Sequence, residues 1–316
     1  MALMSSWING LTPEMSRVAE KQLRETTEKR KEALKEIKRL IKGMTGFLPL
    51  KDDEFLLRFL RAKKFDVNEA FDTLKTYYKF KVEYSGVLTD FVPSDFRTVF
   101  EMDKIFISPK RTLIGEGIFV VFAGSIDFRQ CTFEDFVRAV LIAAEIGLEM
   151  EGTQVCGCRI IIDLRGMSLV KIKNYIKPSL ALAAAKYLQN ILPCRVKGIH
   201  LLYEEFYFDA AFQTLKYLIK PFLRRKMRKR IYFHSGDLQS LHQHIPPRAL
   251  PYSLGGCLGQ KHLRDFRTIM LQNDAFMKRL NRYTYNGEPS KEALREIESN
   301  PDPKVTTKTL IDVLTS

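Results

Sequence analysis

The distribution of apolar residues divides the chain into two parts with different periodicities. Up to about residue 92, apolar side chains recur every three or four positions, as in "EFLLRFLRAKKF" and "DVNEAFDTLKTYYKFK", which is typical of amphipathic helices. Thr12, followed by Pro13 at a first helical position, predicts a charged helix that continues to about Gly43. The spacing in "DVNE" predicts a capping box at the start of another helix. We therefore expect an all-helical N-terminal domain over residues 1–92.

From about residue 93 the pattern changes to short apolar segments that alternate with helical ones. The strand-like segments are "IFVVFAGSID" (118–127), "CRIIIDL" (158–164), "VKGIHLL" (196–202) and "RIYFH" (230–234). Helical stretches separate them, namely "FEDFVRAVLIAAEIGLEM", "KNYIKPSLALAAAKYLQNIL" and "FDAAFQTLKYLIKPFL". Strands that are apolar on both faces and separated by helices predict βαβ crossovers and a mainly parallel buried sheet. The predicted fold class is therefore α/β, with this domain over residues 93–260 and a helix with a polar tail over 261–316.

The charge of the chain narrows the choice of partner. A formal net charge of +14 over 316 residues points to a polyanion, such as nucleic acid, an anionic membrane surface or a phosphorylated ligand. The five cysteines are an odd number without paired CxxC spacing, which argues against a disulfide framework and a structural zinc site. We see no secretory signal and no run of about 18 apolar residues. We therefore expect a cytoplasmic protein that is reversibly peripheral to membranes and holds no metal.

No enzyme motif stands out in the sequence. The GxSxG, GxxxxGK[ST] and dinucleotide-binding patterns are absent, and spacing identifies no acid–base partner for a histidine. The glycines of "GEGIFVVFAG" precede a strand, so we expect them to form a turn that enters it. We expect neither a catalytic residue nor a cofactor.

The most informative stretch is "LIKPFLRRKMRKRIYFH" (218–234). It places seven basic residues in eleven positions, directly after a helix whose apolar residues share one face. Nucleic-acid binding is disfavoured because stacking aromatic residues are not interleaved with the basic ones. A cluster of four to eight Lys or Arg residues on an amphipathic helix is typical of binding to anionic lipids and phosphoinositides. We favour this reading, and a core-facing helix with a solvated basic face is the open alternative.

Several segments occur in the order found in one known family: "EFLLRFLRAKKFDVNEAFDTLKTYYKFK", "GCRIIIDLRG", "RVKGIHLL", "IKPFLRRKMRKRIYFH" and "LPYSLGG". Over about residues 12–280 the chain resembles the CRAL-TRIO lipid-binding family, in the branch of alpha-tocopherol transfer protein and cellular retinaldehyde-binding protein. The resemblance implies a helical N-terminal domain and an α/β domain with a cavity for one hydrophobic molecule. A mobile gate helix, here about residues 206–222, would close that cavity.

The resemblance also implies a function. The protein would be a monomeric carrier that exchanges one tocopherol, retinoid, carotenoid or similar ligand at phosphoinositide-containing membranes. Two alternatives stay open, namely a lipid-sensing module that regulates a protein partner and an enzyme that acts on a lipid.

Strand alternation and helix periodicity predict the residues that line the cavity. They are Val137, Val140, Leu141, Ala144, Cys158, Ile160, Ile162, Leu188, Leu192, Phe212, Leu215 and Ile219. The resemblance implies a phosphoinositide site as well. Its residues are Lys63, Arg195, Lys197, Lys226, Arg228 and Arg230.

Asp72 stands where another basic residue of the phosphoinositide site is expected, which weakens the case for a complete head-group site. Two further departures from the tocopherol carrier disfavour tocopherol as the cargo. The gate is four residues longer, and Val140 and Ala144 stand where that carrier presents two serines to its cavity.

Overall fold

A computed structural model describes residues 10–203 and 225–285 of the chain, in which helices pack around two sheets. The helices are α1 (Pro13–Val18), α2 (Thr27–Lys42), α3 (Asp53–Ala62), α4 (Val67–Glu83), α5 (Arg97–Glu101), α6 (Phe133–Gly147), α7 (Glu151–Cys156), α8 (Leu169–Tyr175), α9 (Pro178–Lys186), α10 (Arg225–Arg228), α11 (Leu238–His242), α12 (Gln260–Leu271) and α13 (Asp274–Asn281). The strands are β1 (Phe47–Leu48), β2 (Ile105–Ile107), β3 (Gly117–Val121), β4 (Cys158–Asp163), β5 (Val196–Leu202), β6 (Ile231–Phe233) and β7 (Thr284–Tyr285). One π-helical turn, Ala19–Leu23, follows α1, and a second, Tyr187–Ile191, follows α9.

Polar side chains define where the N-terminal helices begin. Thr12, Thr26, Asp52 and Asp66 each accept a hydrogen bond from a backbone N–H in the first turn of the helix that follows. These bonds satisfy donors that a helix leaves unpaired at its start. The caps therefore determine where α1 to α4 begin.

The prediction of one helix from Thr12 to about Gly43 is wrong. Arg24 adopts a left-handed conformation with φ at 58°, and the helix begins again after Thr26. The break allows Glu25 to pair with Arg61 of α3 at 2.8 Å. The sequence hides the break because residues with good helix propensity stand on both sides of it.

The larger sheet has the strand order β2-β3-β4-β5-β6. Strand β2 runs antiparallel to β3, and β3 to β6 are parallel to one another. This arrangement, which follows a helical N-terminal region, confirms the predicted α/β fold class. The predicted strand over 196–202 coincides with β5.

The two faces of this sheet pack differently. Phe106, Val120, Ile161 and His200 are paired across four neighbouring strands, and all are fully buried on one face. On that face Phe106 packs edge-on against Phe266 of α12, with ring centroids 5.9 Å apart. The opposite face carries the next residue of each strand, because side chains alternate along a strand. This second face forms one wall of the cavity described below.

Several other element boundaries differ from the predictions. Strand β2 was not predicted, and the strand predicted over 118–127 ends at Val121. The helix predicted over "KNYIKPSLALAAAKYLQNIL" was expected to have Pro178 near its start, and Pro178 is indeed the first residue of α9, a position that suits proline. The residues before Pro178 belong to a separate helix, because α8 ends at Tyr175. The last predicted helix is divided into α12 and α13.

A small second sheet joins the N-terminal region to the last described residues. Strand β1 pairs antiparallel with β7, so that Phe47 lies opposite Tyr285. Within residues 10–203 and 225–285, no helix has the length and apolar character needed to cross a membrane.

Candidate functional site

An apolar cavity of about 210 Å³ lies between the sheet and the helices that cover its second face. Strands β3 and β4 form one wall, α6 forms another, and α9 with its π-helical turn forms a third. The lining residues are Ile107, Gly117, Ile118, Phe119, Val121, Ala123, Phe133, Phe136, Val137, Val140, Leu141, Ala144, Gly147, Leu148, Met150, Thr153, Cys158, Ile160, Ile162, Ala184, Leu188, Leu192 and Cys194. A cavity with such a wall favours an apolar guest, because polar guests would lose hydrogen bonds to water.

The structure places nine of the twelve predicted lining residues on this wall. They are Val137, Val140, Leu141, Ala144, Cys158, Ile160, Ile162, Leu188 and Leu192. The other three, Phe212, Leu215 and Ile219, lie outside the described residues, as does the predicted gate over 206–222.

The lining residues of β3 were missed by the sequence analysis. Phe119 and Val121 pair in register with Ile160 and Ile162, so all four project from the same face. Alternation along "GIFVV", read in register with "CRIIID", would have identified them. Phe133 and Phe136 of α6 were missed as well.

The lining contains several apolar side chains that are only half-buried. Val140 and Ala144 on α6, Leu188 after α9, and Phe119 and Ile162 on the sheet are all of this kind. They face the cavity from three sides, and each keeps surface that no protein atom covers. That surface is available to a guest molecule.

A buried polar network supports the wall from behind. Arg58 of α3, 1% exposed, lies 3.4 Å from the Glu145 carboxylate of α6 and also pairs with Glu149. The Tyr187 hydroxyl donates to the same Glu145 carboxylate. Burial lowers the pKa of Arg58 and raises the pKa of Tyr187. The network joins the N-terminal helices to both α6 and the π-helical turn.

Arg61 makes a second buried connection to the N-terminal helices. Its guanidinium bonds Glu25, Glu151 at 2.5 Å and the Gln154 side chain at 2.7 Å. Although burial acts in the opposite direction, hydrogen bonds and charges from Glu25 and Glu151 raise the pKa of Arg61. The contact fixes α7 against α3.

Several polar side-chain groups meet at one corner of the otherwise apolar cavity wall. Thr153 of α7 lies on the wall there, and its Oγ1 accepts from both terminal nitrogens of Arg111, each at 3.2 Å. The Sγ atoms of Cys158 and Cys194 are hydrogen bonded 3.6 Å apart beside it, and Cys194 Sγ lies 3.9 Å from the Thr153 carbonyl oxygen. We call Thr153, Cys158 and Cys194 the polar corner.

Three of the predicted phosphoinositide-binding residues are brought together next to the polar corner. Arg195 and Lys197 lie at the start of β5, and Arg230 immediately precedes β6. Lys197 is within electrostatic reach of both arginines, and burial followed by the Arg195 charge lowers the pKa of Lys197. Burial likewise lowers the pKa of Arg195. We call Arg195, Lys197 and Arg230 the basic cluster.

The basic cluster is built by contacts to backbone carbonyls. Arg195 donates to the Val155 carbonyl and Arg230 to the Val196 carbonyl. Both arginines are half-buried as whole residues, although Arg195 Nε itself is buried. These contacts fix two of the three cations at the edge of the sheet where the parallel strands begin, and Lys197 lies between them in sequence.

The remaining predicted basic residues lie apart from this cluster. Lys226 and Arg228 are exposed on α10, which leads into Arg230. Lys63 is half-buried and follows α3, a helix that packs against α7. Asp72, which replaces an expected basic residue, pairs with Lys75 at 2.7 Å, so its charge is partly offset.

Two family models match successive parts of this chain. The sequence-family model of the CRAL/TRIO domain matches residues 92–256, and the family model of the CRAL/TRIO N-terminal domain matches residues 21–76. Human clavesin-2 is 31% identical over 299 residues, which cover 93% of this chain and 88% of clavesin-2. Rat clavesin-1 is 31% identical over 311 residues, covering 96% and 86% respectively. The structure titled "Crystal structure of Sfh5" covers 92% of this chain and 98% of its own, with a TM-score of 0.47 and 13% identity.

A helical N-terminal region followed by an α/β domain with an apolar cavity defines a class of lipid-binding and lipid-transfer proteins. The chain belongs to the CRAL/TRIO family. The resemblance read from the sequence is confirmed at the level of the family.

Proposed function

We propose that this protein is a lipid carrier, which holds one hydrophobic molecule in the cavity and exchanges it at phosphoinositide-containing membranes. The observation that supports this proposal is the position of the basic cluster beside the cavity. Cys194 lies on the cavity wall, and Arg195, the next residue, belongs to the cluster. The apolar cavity and the proposed site for anionic head groups are therefore adjacent.

The cavity volume limits the guest. About 210 Å³ is smaller than the roughly 300–1,000 Å³ that is usual for a drug-sized ligand. A single acyl chain or one ring system therefore suits the cavity better than a phospholipid with two chains. A longer guest has to displace side chains of the cavity wall or to extend out of the cavity, past the residues that the structure describes.

Hydrophobicity alone does not decide when the cargo is released. Moving about 400 Å² of apolar surface out of water contributes on the order of 10 kcal/mol. A bilayer interior offers nearly the same gain, so the free energies of the two bound states almost cancel. An interaction made only at the membrane can then shift the equilibrium. In the proposed function, head groups that bind the basic cluster and α10 supply that interaction.

The test uses vesicles of phosphatidylcholine with and without phosphatidylinositol bisphosphate. Lys226 and Arg228 are exposed, so the double change Lys226→Ala/Arg228→Ala does not disturb the core. Each basic residue near an anionic surface contributes about 1 kcal/mol, so we expect roughly tenfold weaker binding to phosphoinositide vesicles or more. Transfer of a fluorescent lipid between vesicles should slow in proportion.

The matched control removes the same charge from a different surface. Lys261 and Arg264 are exposed on α12, and Lys261→Ala/Arg264→Ala should bind the vesicles within about twofold of the wild type. Equal weakening by both double variants, or binding that ignores phosphoinositide, would show that general charge rather than this surface recognises the membrane.

A further inference from the structure

The polar corner contains a hydroxyl whose hydrogen atom has no acceptor among the described residues. Thr153 Oγ1 accepts hydrogen bonds from both terminal nitrogens of Arg111, each at 3.2 Å. A hydroxyl has two acceptor sites and one donor, so the O–H is left to donate. Thr153 itself lies on the cavity wall. A cation behind a hydroxyl polarises it and makes its O–H a stronger donor.

Arg111 is half-buried and makes no ion pair with the described residues, which distinguishes it from the buried Arg58 and Arg61. Arg58 and Arg61 each pair with at least one glutamate. Besides Thr153, Arg111 donates hydrogen bonds to the Gly115 carbonyl at 3.2 Å and to the Met150 sulfur at 3.4 Å. Its ionisable neighbours within the described ranges are the thiols of three cysteines, and burial lowers its pKa. Buried charges are normally paired, so a cation in this position favours an anion nearby.

The backbone leaves this corner open. A Cβ atom at Gly117 would lie 3.0 Å from Thr153 Oγ1 and 3.5 Å from a terminal nitrogen of Arg111. A side chain at that position would therefore crowd the contact between Thr153 and Arg111. Glycine keeps the hydroxyl and the guanidinium in place at the end of an otherwise apolar wall.

We propose that the polar corner binds the head of an apolar molecule that ends in a carboxylate. The Thr153 O–H donates to a carboxylate oxygen, and Arg111 offsets the negative charge from behind Thr153. The apolar remainder of the molecule lies along Phe119, Ile160 and the α6 wall. This inference rests on the proposed function, since it specifies the cargo of the same cavity.

The test compares decanoic acid, methyl decanoate and decan-1-ol by isothermal titration calorimetry at a pH where the acid is ionised. For each protein we take the ratio of the ester dissociation constant to the acid dissociation constant, which we call the acid preference. The hydration free energies of the free ligands are the same for every protein, so they cancel when this ratio is compared between variants. We expect Thr153→Val to reduce the acid preference about tenfold while ester binding stays within about twofold. Arg111→Met should also reduce the acid preference. Thr153→Ser should retain it, because serine keeps the hydroxyl.

Thr73→Val serves as the matched control. Thr73 is also buried, but its hydroxyl donates to the Glu69 carbonyl at 2.8 Å inside α4, outside the cavity wall. This variant should keep the acid preference of the wild type. Circular dichroism confirms that each variant is folded before it is titrated.

Two results would overturn the inference, and they are distinguishable. An acid preference that is the same in the wild type, Thr153→Val and Arg111→Met, with the ester bound by all three, would remove the carboxylate site and leave the proposed carrier intact. Failure of all three ligands to bind the wild type would contradict the carrier itself.

Discussion

The hydroxyl of Tyr187 donates a hydrogen bond to the carboxylate of Glu145 behind the wall of the cavity. Tyr187 begins the π-helical turn after α9, and the next residue, Leu188, faces the cavity. Glu145 follows Ala144, which faces the cavity from α6. One buried contact therefore holds two facing walls at a fixed separation. Because burial raises the pKa of Tyr187, the hydroxyl remains a donor at physiological pH.

Removing this hydroxyl should loosen the wall. Tyr187→Phe leaves a buried lone pair of Glu145 without its donor, which costs about 1–3 kcal/mol. We expect that loss in the free energy of unfolding in urea, together with faster release of a bound lipid. Tyr252→Phe is the control, since Tyr252 is 69% exposed and should change stability by less than about 0.5 kcal/mol. Equal stability of the two variants would contradict a supporting role for the Tyr187 hydroxyl.

Filling the cavity should prevent binding without unfolding the protein. Val140 is half-buried because it faces the cavity, so the larger ring in Val140→Phe can occupy free space. We expect a melting temperature close to that of the wild type and at least tenfold weaker binding of an apolar fluorescent ligand.

Val170→Phe places the same ring on the surface, where Val170 is 66% exposed. It should bind the ligand as the wild type does. Unchanged ligand binding by Val140→Phe would indicate that the guest lies elsewhere.

The histidine on the other face of the sheet should make stability depend on pH. His200 Nε2 lies 3.3 Å from Arg159, which can only donate, so Nε2 accepts. Its Nδ1–H is then the donor to His234 Nε2 at 2.9 Å. Burial first, and then the charges of His234, Arg159 and His244, lower the pKa of His200 to about 3. The folded protein therefore holds this imidazole neutral.

The sign of the effect follows from the depressed pKa. Between about pH 6.5 and pH 3 the unfolded chain binds a proton at His200 that the folded chain does not, so stability is present above pH 6.5 and falls as the solution is acidified. From pH 6.5 to pH 5 the wild type should lose about 2 kcal/mol more than His200→Gln, at ~1.4 kcal/mol per pH unit. Urea unfolding at the two pH values measures the difference, and parallel losses in the two proteins would contradict the assignment of that loss to His200.

The buried pair of Arg58 and Glu145 should be sensitive to the loss of either partner. Arg58→Met leaves the Glu145 carboxylate buried without its cation, which costs about 3–5 kcal/mol. The double variant Arg58→Met/Glu145→Gln should recover part of that loss, because it removes the uncompensated charge. Chemical denaturation of Arg58→Met, Glu145→Gln and the double variant, each against the wild type, gives the coupling free energy, and simple additivity would show that the two residues do not interact.

The parts of the fold that could be predicted from sequence are those with a local signal. The seven-residue "VKGIHLL" segment, in which Val196, Ile199, Leu201 and Leu202 are apolar, is long enough to identify β5, and Pro178 marked a helix start. Strand β2 has only three residues, too few for a periodic pattern. The break before Thr26 was hidden inside a charged helical run.

The polar features of the site could not be predicted because they join distant segments. Arg111 and Thr153 are 42 positions apart, and Arg58 and Glu145 are 87 positions apart. No periodicity relates such pairs, and only the packing of α3, α6 and α7 brings them together. The apolar wall was accessible to prediction because each strand or helix contributes a regular set of positions to it.

Native mass spectrometry of the purified protein tests the central claim most directly, because it counts the guest molecules in each intact complex. The proposed function predicts that the wild type takes up one apolar ligand per chain and that Val140→Phe takes up none, although both are folded. A wild-type protein that stays free of ligand in the presence of excess lipid, or a Val140→Phe variant that is loaded equally, would contradict a carrier built on this cavity.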